Sequence, residues 1–385
     1  MRTPELRAAR VATSVIFAVH GAVTGTFAAR LPWLADHVGV SAGGLGVALL
    51  MPGIGALAAM PLSGRLTHRY DLRSLTRILI LMWCAALVLP ALPTTLPVLC
   101  AALAVYGAAA GVADVAMNAQ AVVIEQGYGR SVMSAFHGFW SVGGLAGAAA
   151  AVLAARHGVD ARVHFAATAA VLSLVTLIAA TRLLPHRPEP EVDAPPAFAL
   201  PTRAVLPIGL IGLCAVFAEG AGLDWSAVYV RDVLGNSAGT AAATVAVFSI
   251  SMAVARFAGD RVVRRLGPVA TVQLAALCAA VGALAVVLGR HVVPVMAGFG
   301  LLGAGIAVVV PLVFAAAGRL DEHPGRNLAG VAGIAYGSGL IAPGVIGGIA
   351  HVSSLTMSFI VVAGLVVVMG AAAPVLRPRS PARQD

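Results

Sequence analysis

Four ionisable side chains, His20, Asp114, His137 and Glu219, lie inside long runs of apolar residues. A charged group within a membrane costs several kcal/mol, so such residues are rare there and mark pathways for protons or polar solutes. Imidazoles and carboxylates can each take up a proton and form hydrogen bonds with a polar ligand. We therefore treat the four residues as candidates for binding a solute or a proton. The alternative is that each is neutral and hydrogen-bonded to a neighbouring helix.

The run around Asp114 has a polar and glycine-lined stripe. At 100° per residue, five positions fall within about 60° of arc: Gly107, Gly111, Asp114, Asn118 and Glu125. The glycines predict close approach of a neighbouring helix, with Asp114 near mid-depth, Asn118 one turn deeper and Glu125 at the inner end. Asp114 and Asn118 are thus candidates for the solute or proton site. Alternatively, the stripe only packs, with Asp114 bonded to a neighbouring backbone.

Two histidines and a tryptophan extend this candidate site. His20 lies about 15 Å into the first apolar run, near the middle of a membrane. His137 is expected close to the depth of Asn118, so a hydrogen bond between these two is the structural interpretation and a proton relay or ligand contact is the functional one. Trp140 is central enough to stack on a ring of the solute.

A second set of charges lies near the outer ends of the first and seventh runs. Glu219 and Asp224 flank two glycines, and Arg30 lies at the corresponding depth of the first run. We predict an outer gate in which Arg30 pairs with one of the two acids, Glu219 being favoured because it lies deeper. The alternative is that Arg30 and Asp224 extend to the membrane interface.

These residues must be positioned by membrane-spanning helices. The 385-residue chain is 59% hydrophobic and only 11% charged, against about a quarter charged in soluble proteins. No nucleotide-binding loop, metal-ligand cluster or nucleophile pattern is present. A span needs roughly 20 apolar residues, and we predict twelve, at 11–31, 42–63, 76–93, 97–124, 132–155, 162–184, 204–230, 239–257, 268–288, 292–316, 328–350 and 354–375.

The arginines predict the orientation of these spans. All 25 basic residues are arginine, and 20 of them fall in segments that are cytoplasmic if the N-terminus is inside. Short cytoplasmic loops carry an excess of positive charge. Both termini are therefore expected in the cytoplasm of a bacterial inner-membrane protein, and the net charge of +9 needs no nucleic-acid partner.

Two loops repeat at half the chain length. Residues 64–73 read GRLTHRYDLR and residues 256–265 read RFAGDRVVRR, with paired arginines offset by 192 positions. This arrangement resembles the major facilitator superfamily, whose signature loop reads approximately G-x-x-x-D-R-x-G-R-[KR]. His68 replaces the acid of the first copy, whereas the second copy keeps Asp260. The resemblance implies parallel six-helix repeats and an inner latch that pairs charges across helix ends, formed by Arg69, Arg73, Asp260, Arg261 and Arg265. Alternatively, these arginines only set topology.

Three further segments carry a narrower resemblance. DVAMNAQ at 114–120, SAFHGFWSVGG at 134–144 and EGAGLDWS at 219–226 are similar to the rhizopine-type and fucose-permease-like carriers of that superfamily. This branch implies small polar, sugar-like solutes and proton coupling. A proline-containing signature typical of drug antiporters is missing from the fifth span.

Together these patterns predict an all-α membrane protein of twelve helices in two six-helix bundles, at 1–184 and 204–376, joined by a linker at 185–203 and followed by a tail at 377–385. We expect a proton-coupled secondary transporter of a small polar solute that works by alternating access. Drug or metabolite efflux and a non-transporting sensor or scaffold are the alternatives. Expected partners are the solute, a proton and the lipid bilayer. We expect no enzyme activity, cofactor, metal or nucleic acid, and a monomeric chain.

Overall fold

The computed structural model describes residues 4–40, 42–186, 201–236, 238–321 and 323–377. Most of the predicted linker and tail lies outside these residues. The described part contains no strand, and its α-helices are α1 Pro4–Ala28, α2 Leu31–Val38, α3 Ala42–Arg69, α4 Leu72–Ala86, α5 Leu96–Tyr128, α6 Met133–Arg156, α7 Ala161–Ala180, α8 Leu206–Val228, α9 Ala238–Leu288, α10 Val292–Ile306, α11 Val309–Ala317, α12 Pro324–Val352 and α13 Leu355–Ala372.

Eleven segments of the described chain are long and apolar enough to cross a membrane. The longest lies in α9, which breaks at Gly267, where the backbone adopts φ 76° and ψ 169°. Only glycine enters this region readily, and the following Pro268 has no N–H to continue the helix. The arms on either side of the break are each long enough to span a bilayer, which brings the number of spans to twelve. The predicted all-α, twelve-span fold is confirmed.

Two spans differ from the prediction in ways that matter below. The eighth was expected to end at residue 257, but its helix continues to the break at Gly267, so Arg256 and Asp260 are helical and buried. The tenth is divided into α10 and α11. Pro311 explains this division, because its ring excludes the carbonyl four residues earlier, that of Ala307, from the helical hydrogen-bond ladder.

The chain forms two compact units. Unit 1 comprises Met1–Pro201 with Asp321–Gly333, and unit 2 comprises Thr202–Leu320 with Ile334–Asp385. The first turns of α12 therefore belong to unit 1, where Gly325 lies directly against Thr67 at the end of α3. The bundle limits expected from the sequence remain predictions.

Close helix pairs build the core of unit 1. A Cβ atom at Gly21 of α1 would overlap the carbonyl oxygen of Trp140 on α6, and one at Gly107 of α5 would overlap that of Pro52 on α3. The close approach predicted for the glycine stripe is confirmed at Gly107 and at Gly111, which meets Ala56 of α3. These contacts place α1, α5 and α6 where their polar side chains can meet.

Candidate functional site

His20 is the centre of a polar cluster in unit 1. Its side chain is buried, with the residue 6% exposed, and its Nδ1 accepts a hydrogen bond from the indole Nε1–H of Trp140 at 3.0 Å. An indole nitrogen can only donate, so the ring proton of His20 is assigned to Nε2, which faces the carbonyl oxygen of Ala110 at 3.5 Å. His20 is thus a neutral imidazole that joins α1 to α5 and α6, and it fixes the orientation of Trp140.

An aromatic enclosure surrounds the imidazole. The Trp83 ring stacks on His20 at 5.1 Å between centroids, and its Nε1–H donates to the His20 carbonyl oxygen at 3.4 Å. Tyr106 packs on Trp83 at 4.4 Å, and Phe27 packs on Tyr106 at 4.8 Å. The Tyr106 hydroxyl is buried, and among the described residues it has no hydrogen-bond partner. Trp140 alone among these aromatic residues is half-exposed.

Asp114 and Asn118 lie on α5 beside this cluster, and both are buried. The Asn118 amide donates to the backbone carbonyl oxygen of Asp114 at 2.9 Å, while its own Oδ1 has no hydrogen-bond partner in the part of the chain that the structure describes. The expected hydrogen bond between Asn118 and His137 is therefore not formed. His137, also buried, instead meets the Phe17 ring edge-on at 5.3 Å.

Glu125, at the inner end of the polar stripe of α5, has a structural role. Glu125 Oε2 accepts hydrogen bonds from the backbone N–H groups of Val132 at 2.9 Å and Met133 at 3.0 Å. These groups lie at the start of α6, where the helix dipole favours a negative charge. Glu125 thus caps α6 and helps to hold His137 and Trp140 at their depth.

Unit 2 contains a separate ion pair in which the arginine is buried and the acid is half-buried. Arg256 Nη2 on α9 lies 3.3 Å from Glu219 Oε1 and 3.5 Å from Oε2 on α8, and Arg256 Nε donates to the carbonyl oxygen of Ala307 at 3.3 Å. The side chains are 5% exposed for Arg256 and 20% for Glu219. The sequence analysis missed this partner because it assigned Arg256 to the loop at 256–265. Asp224, the other acid of α8, is exposed.

Arg30 is tied to the outer loop between α6 and α7. It is buried, and its Nη2 donates to the carbonyl oxygen of Val159 at 2.8 Å. The adjacent Asp160 carboxylate forms a salt bridge with Arg162 at 3.0 Å, and this hydrogen-bonded pairing lowers the Asp160 pKa. Arg30 and Glu219 each have a partner within their own unit, and the outer gate stays a prediction.

No group of three or more His, Cys, Asp or Glu side chains that could hold a metal ion occurs in the described residues.

Residues 13–339 match the sequence profile of the Major Facilitator Superfamily. The chain belongs to the major facilitator superfamily. An MFS-type transporter of Yersinia pestis is 36% identical over 365 residues, covering 94% of both chains. The membrane protein MosC of Rhizobium meliloti is 29% identical over 360 residues, covering 91% of this chain and 86% of MosC.

Solved structures show the same superfamily fold. The transporter FucP in its outward conformation aligns with a TM-score of 0.78 and 14% identity over 96% of this chain and 99% of FucP. The human organic anion transporter MFSD10 aligns with a TM-score of 0.75 and 16% identity over 97% of this chain and all of MFSD10. The family predicted from the repeated loops is confirmed, and the protein is a multi-pass membrane transporter.

The first copy of the superfamily's signature loop, at residues 64–73, makes its hydrogen bonds within unit 1. Asp71, at the position where the signature has glycine, caps α4 by accepting from the Ser74 N–H at 3.0 Å and also accepts from the His186 N–H at 3.1 Å. Arg73 Nε donates to the Leu183 carbonyl oxygen beyond α7 at 2.7 Å. Arg69 is exposed and lies over the Tyr70 ring at 5.8 Å.

In the second copy of the signature, Asp260 is buried on α9, whereas Arg261 and Arg265 are exposed. The inner latch of this superfamily member therefore stays a prediction. The contacts of Asp71 and Arg73 show that the first copy also orders the inner ends of α4 and α7.

Sequence reasoning missed Trp83 and Tyr106, which form the enclosure of His20. One signal was available for Trp83. Tryptophan is enriched at membrane interfaces, whereas this one lies eight residues into its predicted span. Its central position indicates a buried or ligand-facing role rather than an interfacial anchor.

Proposed function

We propose that this protein is a secondary active transporter that moves a small, polar, sugar-like solute together with protons by alternating access. It works as a monomer in the bacterial inner membrane, with both termini in the cytoplasm. The observation that carries the proposal is the hydrogen bond from Trp140 to His20. This bond fixes a half-exposed indole beside buried polar groups of α1 and α5. Such an arrangement suits a polar solute better than an apolar drug, whose site would be lined by aliphatic side chains.

The solute contact is assigned to Trp140. A rigid aromatic ring with few rotatable bonds loses little entropy on binding and offers a broad apolar face. Sugars expose such faces of C–H groups between their hydroxyls, and the hydroxyls need polar partners such as the Asn118 Oδ1. FucP is described as a fucose:proton symporter, which agrees with a sugar-like solute, although the likeness at this identity is one of fold.

Proton coupling is assigned to the ionisable groups inside the apolar helices. Asp114 lies on the face of α5 that begins with the packed glycines, one turn beyond Gly111, and is buried. A carboxylate at this depth is more stable when it binds a proton or a cationic partner. Asp114 is the first candidate, with His20, His137 and Glu219 as the others. The arginine excess of the predicted inner loops supports the proposed orientation.

Purified protein in proteoliposomes tests the proposal. An imposed inward proton gradient should drive accumulation of at least one radiolabelled monosaccharide or polyol from a panel, and a protonophore should abolish it. Trp140→Ala should lose this uptake. Trp33→Ala is the matched control, because Trp33 is also half-buried but stacks on His37 of the short helix α2. Equal uptake by Trp140→Ala and wild type, or uptake that ignores the proton gradient, would contradict the proposal.

A further inference from the structure

The Arg256–Glu219 pair in unit 2 has features of a binding site. Arg256 and Arg30 are the buried arginines among the residues whose exposure is described. A guanidinium within an apolar helix is costly unless charged and polar groups surround it. Its position where α8, α9 and the α10–α11 break meet therefore points to a role for the positive charge.

A backbone carbonyl orients this guanidinium. Pro311 has no N–H, so the Ala307 carbonyl oxygen receives no helical hydrogen bond from it. Arg256 Nε supplies one at 3.3 Å. This carbonyl carries no charge and does not titrate, so this hydrogen bond of Arg256 does not depend on the protonation of Glu219.

Glu219, by contrast, is a loosely held partner. A single nitrogen, Nη2, lies between both carboxylate oxygens at 3.3 and 3.5 Å, whereas strong charge-assisted hydrogen bonds are about 2.7–2.9 Å long and frequently bidentate. Glu219 is also the more exposed of the two, at 20% against 5%. The adjacent Gly220 leaves space, since a Cβ there would meet only the Ala342 methyl group at 3.7 Å.

We propose that Arg256 binds the carboxylate of an anionic solute and that Glu219 releases the arginine by taking up a proton. This inference deepens the proposed function and rests on it, because it adds an acid group to the transported solute. Glu219 already shows that a carboxylate fits against Nη2. The charges balance: one proton neutralises Glu219, one solute carboxylate replaces it on Arg256, and the loaded unit carries the same charge as the empty one.

Asp224, Asp260 and Tyr336 are ionisable groups on the helices around this pair. Helices α10, α11 and α13 carry no ionisable side chain. Asp224 lies beyond Glu219 on α8 and is exposed, and Asp260 lies one turn beyond Arg256 on α9 and is buried. Helix α12 meets α8 where Ser338 donates to the Leu213 carbonyl oxygen. The ionisable residue of α12 nearest to this contact in sequence is Tyr336. Glu219 is the acid whose carboxylate lies against Arg256 Nη2, at 3.3 Å, and the proposal assigns to it the contact that breaks when a solute carboxylate binds.

The test compares acids with their neutral counterparts on the purified full-length protein. The probes are glucuronate and glucose, galacturonate and galactose, glutamate and glutamine, and propionate and propionamide. At least one acid should raise the unfolding temperature, and more strongly at pH 6 than at pH 8, whereas its neutral counterpart should not. Glu219→Gln should bind that acid about tenfold more tightly, and without this pH dependence, because the competing carboxylate is gone.

Arginine variants complete the test. Arg256→Gln should abolish binding of the acid. If leaving Glu219 unpaired prevents folding of that variant, the double variant Arg256→Gln/Glu219→Gln removes both charges and should fold without binding. Arg231→Gln/Asp232→Asn is the matched control and should bind as wild type, because it removes an exposed arginine–aspartate pair of unit 2 at 2.6 Å.

The outcomes separate the two proposals. Equal stabilisation by acid and neutral counterpart, or a pH dependence that persists in Glu219→Gln, would overturn the carboxylate site and leave the transport proposal standing. Proteoliposomes with the membrane potential clamped at zero add a second criterion, in which a proton gradient alone should drive uptake of the acid. If no probe of either kind binds or accumulates, both proposals fail.

Discussion

The indole N–H of Trp140 donates to Nδ1 of His20 across 3.0 Å and joins α6 to α1 in the interior of unit 1. The two helices are already in backbone contact here, because Gly21, the residue after His20, lies against the Trp140 carbonyl oxygen. Both the side chain and the main chain of Trp140 are thus held by α1. His20 is accordingly a positioning residue for the proposed aromatic contact with the solute.

Replacing His20 should therefore weaken solute binding more than turnover. His20→Ala leaves the Trp140 N–H without its acceptor and frees the ring, so the KM for uptake should rise about tenfold while kcat changes less. His20→Gln, which keeps an acceptor, should recover part of the loss. His291→Ala is the control, since His291 is exposed at the start of α10. An unchanged KM in His20→Ala would show that Trp140 needs no such support.

The contact between α1 and α6 can be tested by adding one methyl group. Gly21→Ala should reduce the free energy of unfolding by about 1–3 kcal/mol, because its Cβ would overlap the Trp140 carbonyl oxygen and force the helices apart. Gly364→Ala in α13 has nothing within 4 Å and should be neutral or slightly stabilising. Thermal unfolding in detergent measures both. A Gly21→Ala protein as stable as Gly364→Ala would contradict the close packing.

The helices themselves could be predicted from long apolar runs, because a bilayer imposes a minimum length and a low charge. The same rule caused the error at Arg256. Arg256 was assigned to the inner loop because it is charged, although a paired arginine can be buried inside a span. Pro311 could have predicted the break in the tenth span. The sequence could not show that the carbonyl oxygen freed by this break accepts a hydrogen bond from Arg256, because that depends on which helix packs there. The enclosure of His20 likewise depends on tertiary packing of four helices, which helical spacing cannot provide.

Asp114→Asn should separate coupling from folding. Asn118 donates to the backbone of Asp114 rather than to its side chain, so the substitution keeps that contact, and asparagine keeps the shape of the aspartate side chain. If Asp114 carries the proton, gradient-driven accumulation should be lost, while exchange of labelled for unlabelled solute at equilibrium continues. Accumulation by Asp114→Asn at the wild-type level would exclude Asp114 from coupling.

The start of α12 should be sensitive to acid through Asp321. Partial burial opposes its charge, but hydrogen bonds from the His323 N–H and the Asn327 amide and the positive charge of Arg326 outweigh burial and lower the Asp321 pKa. A lowered folded-state pKa stabilises the protein above the unfolded-state pKa, and this contribution is lost as pH falls through the folded-state value. Asp321→Asn should thus be less stable than wild type at pH 7, with the difference shrinking below about pH 4. A pH-independent difference in unfolding temperature would contradict this origin.

Arg30→Ala distinguishes a local from a gating role for Arg30. The local role follows from its hydrogen bond to the Val159 carbonyl oxygen. Removing a buried donor of this kind costs about 1–3 kcal/mol, so hydrogen exchange around residues 157–160 should increase. Arg30→Gln, which keeps a donor, should restore part of the protection. Unchanged exchange in Arg30→Ala would show that the loop is held without it.

The gating role makes a further prediction for an exchange of charges. If Arg30 pairs with Glu219 when the outside closes, Arg30→Ala should increase outside labelling of a cysteine placed at Thr24, and Arg30→Glu/Glu219→Arg should partly restore the wild-type level. The Arg256–Glu219 pair of unit 2 predicts instead that Arg30→Glu/Glu219→Arg is destabilised. An arginine at 219 would face the buried Arg256, which now lies 3.3 Å from Glu219, and two like charges at this distance from each other repel. The double variant should then unfold at a lower temperature than Arg30→Glu alone, whereas Glu219→Arg/Arg256→Glu, which keeps one charge of each sign, should recover stability. Restored labelling in a stable Arg30→Glu/Glu219→Arg protein would show that the partner of Glu219 in the transport cycle is Arg30.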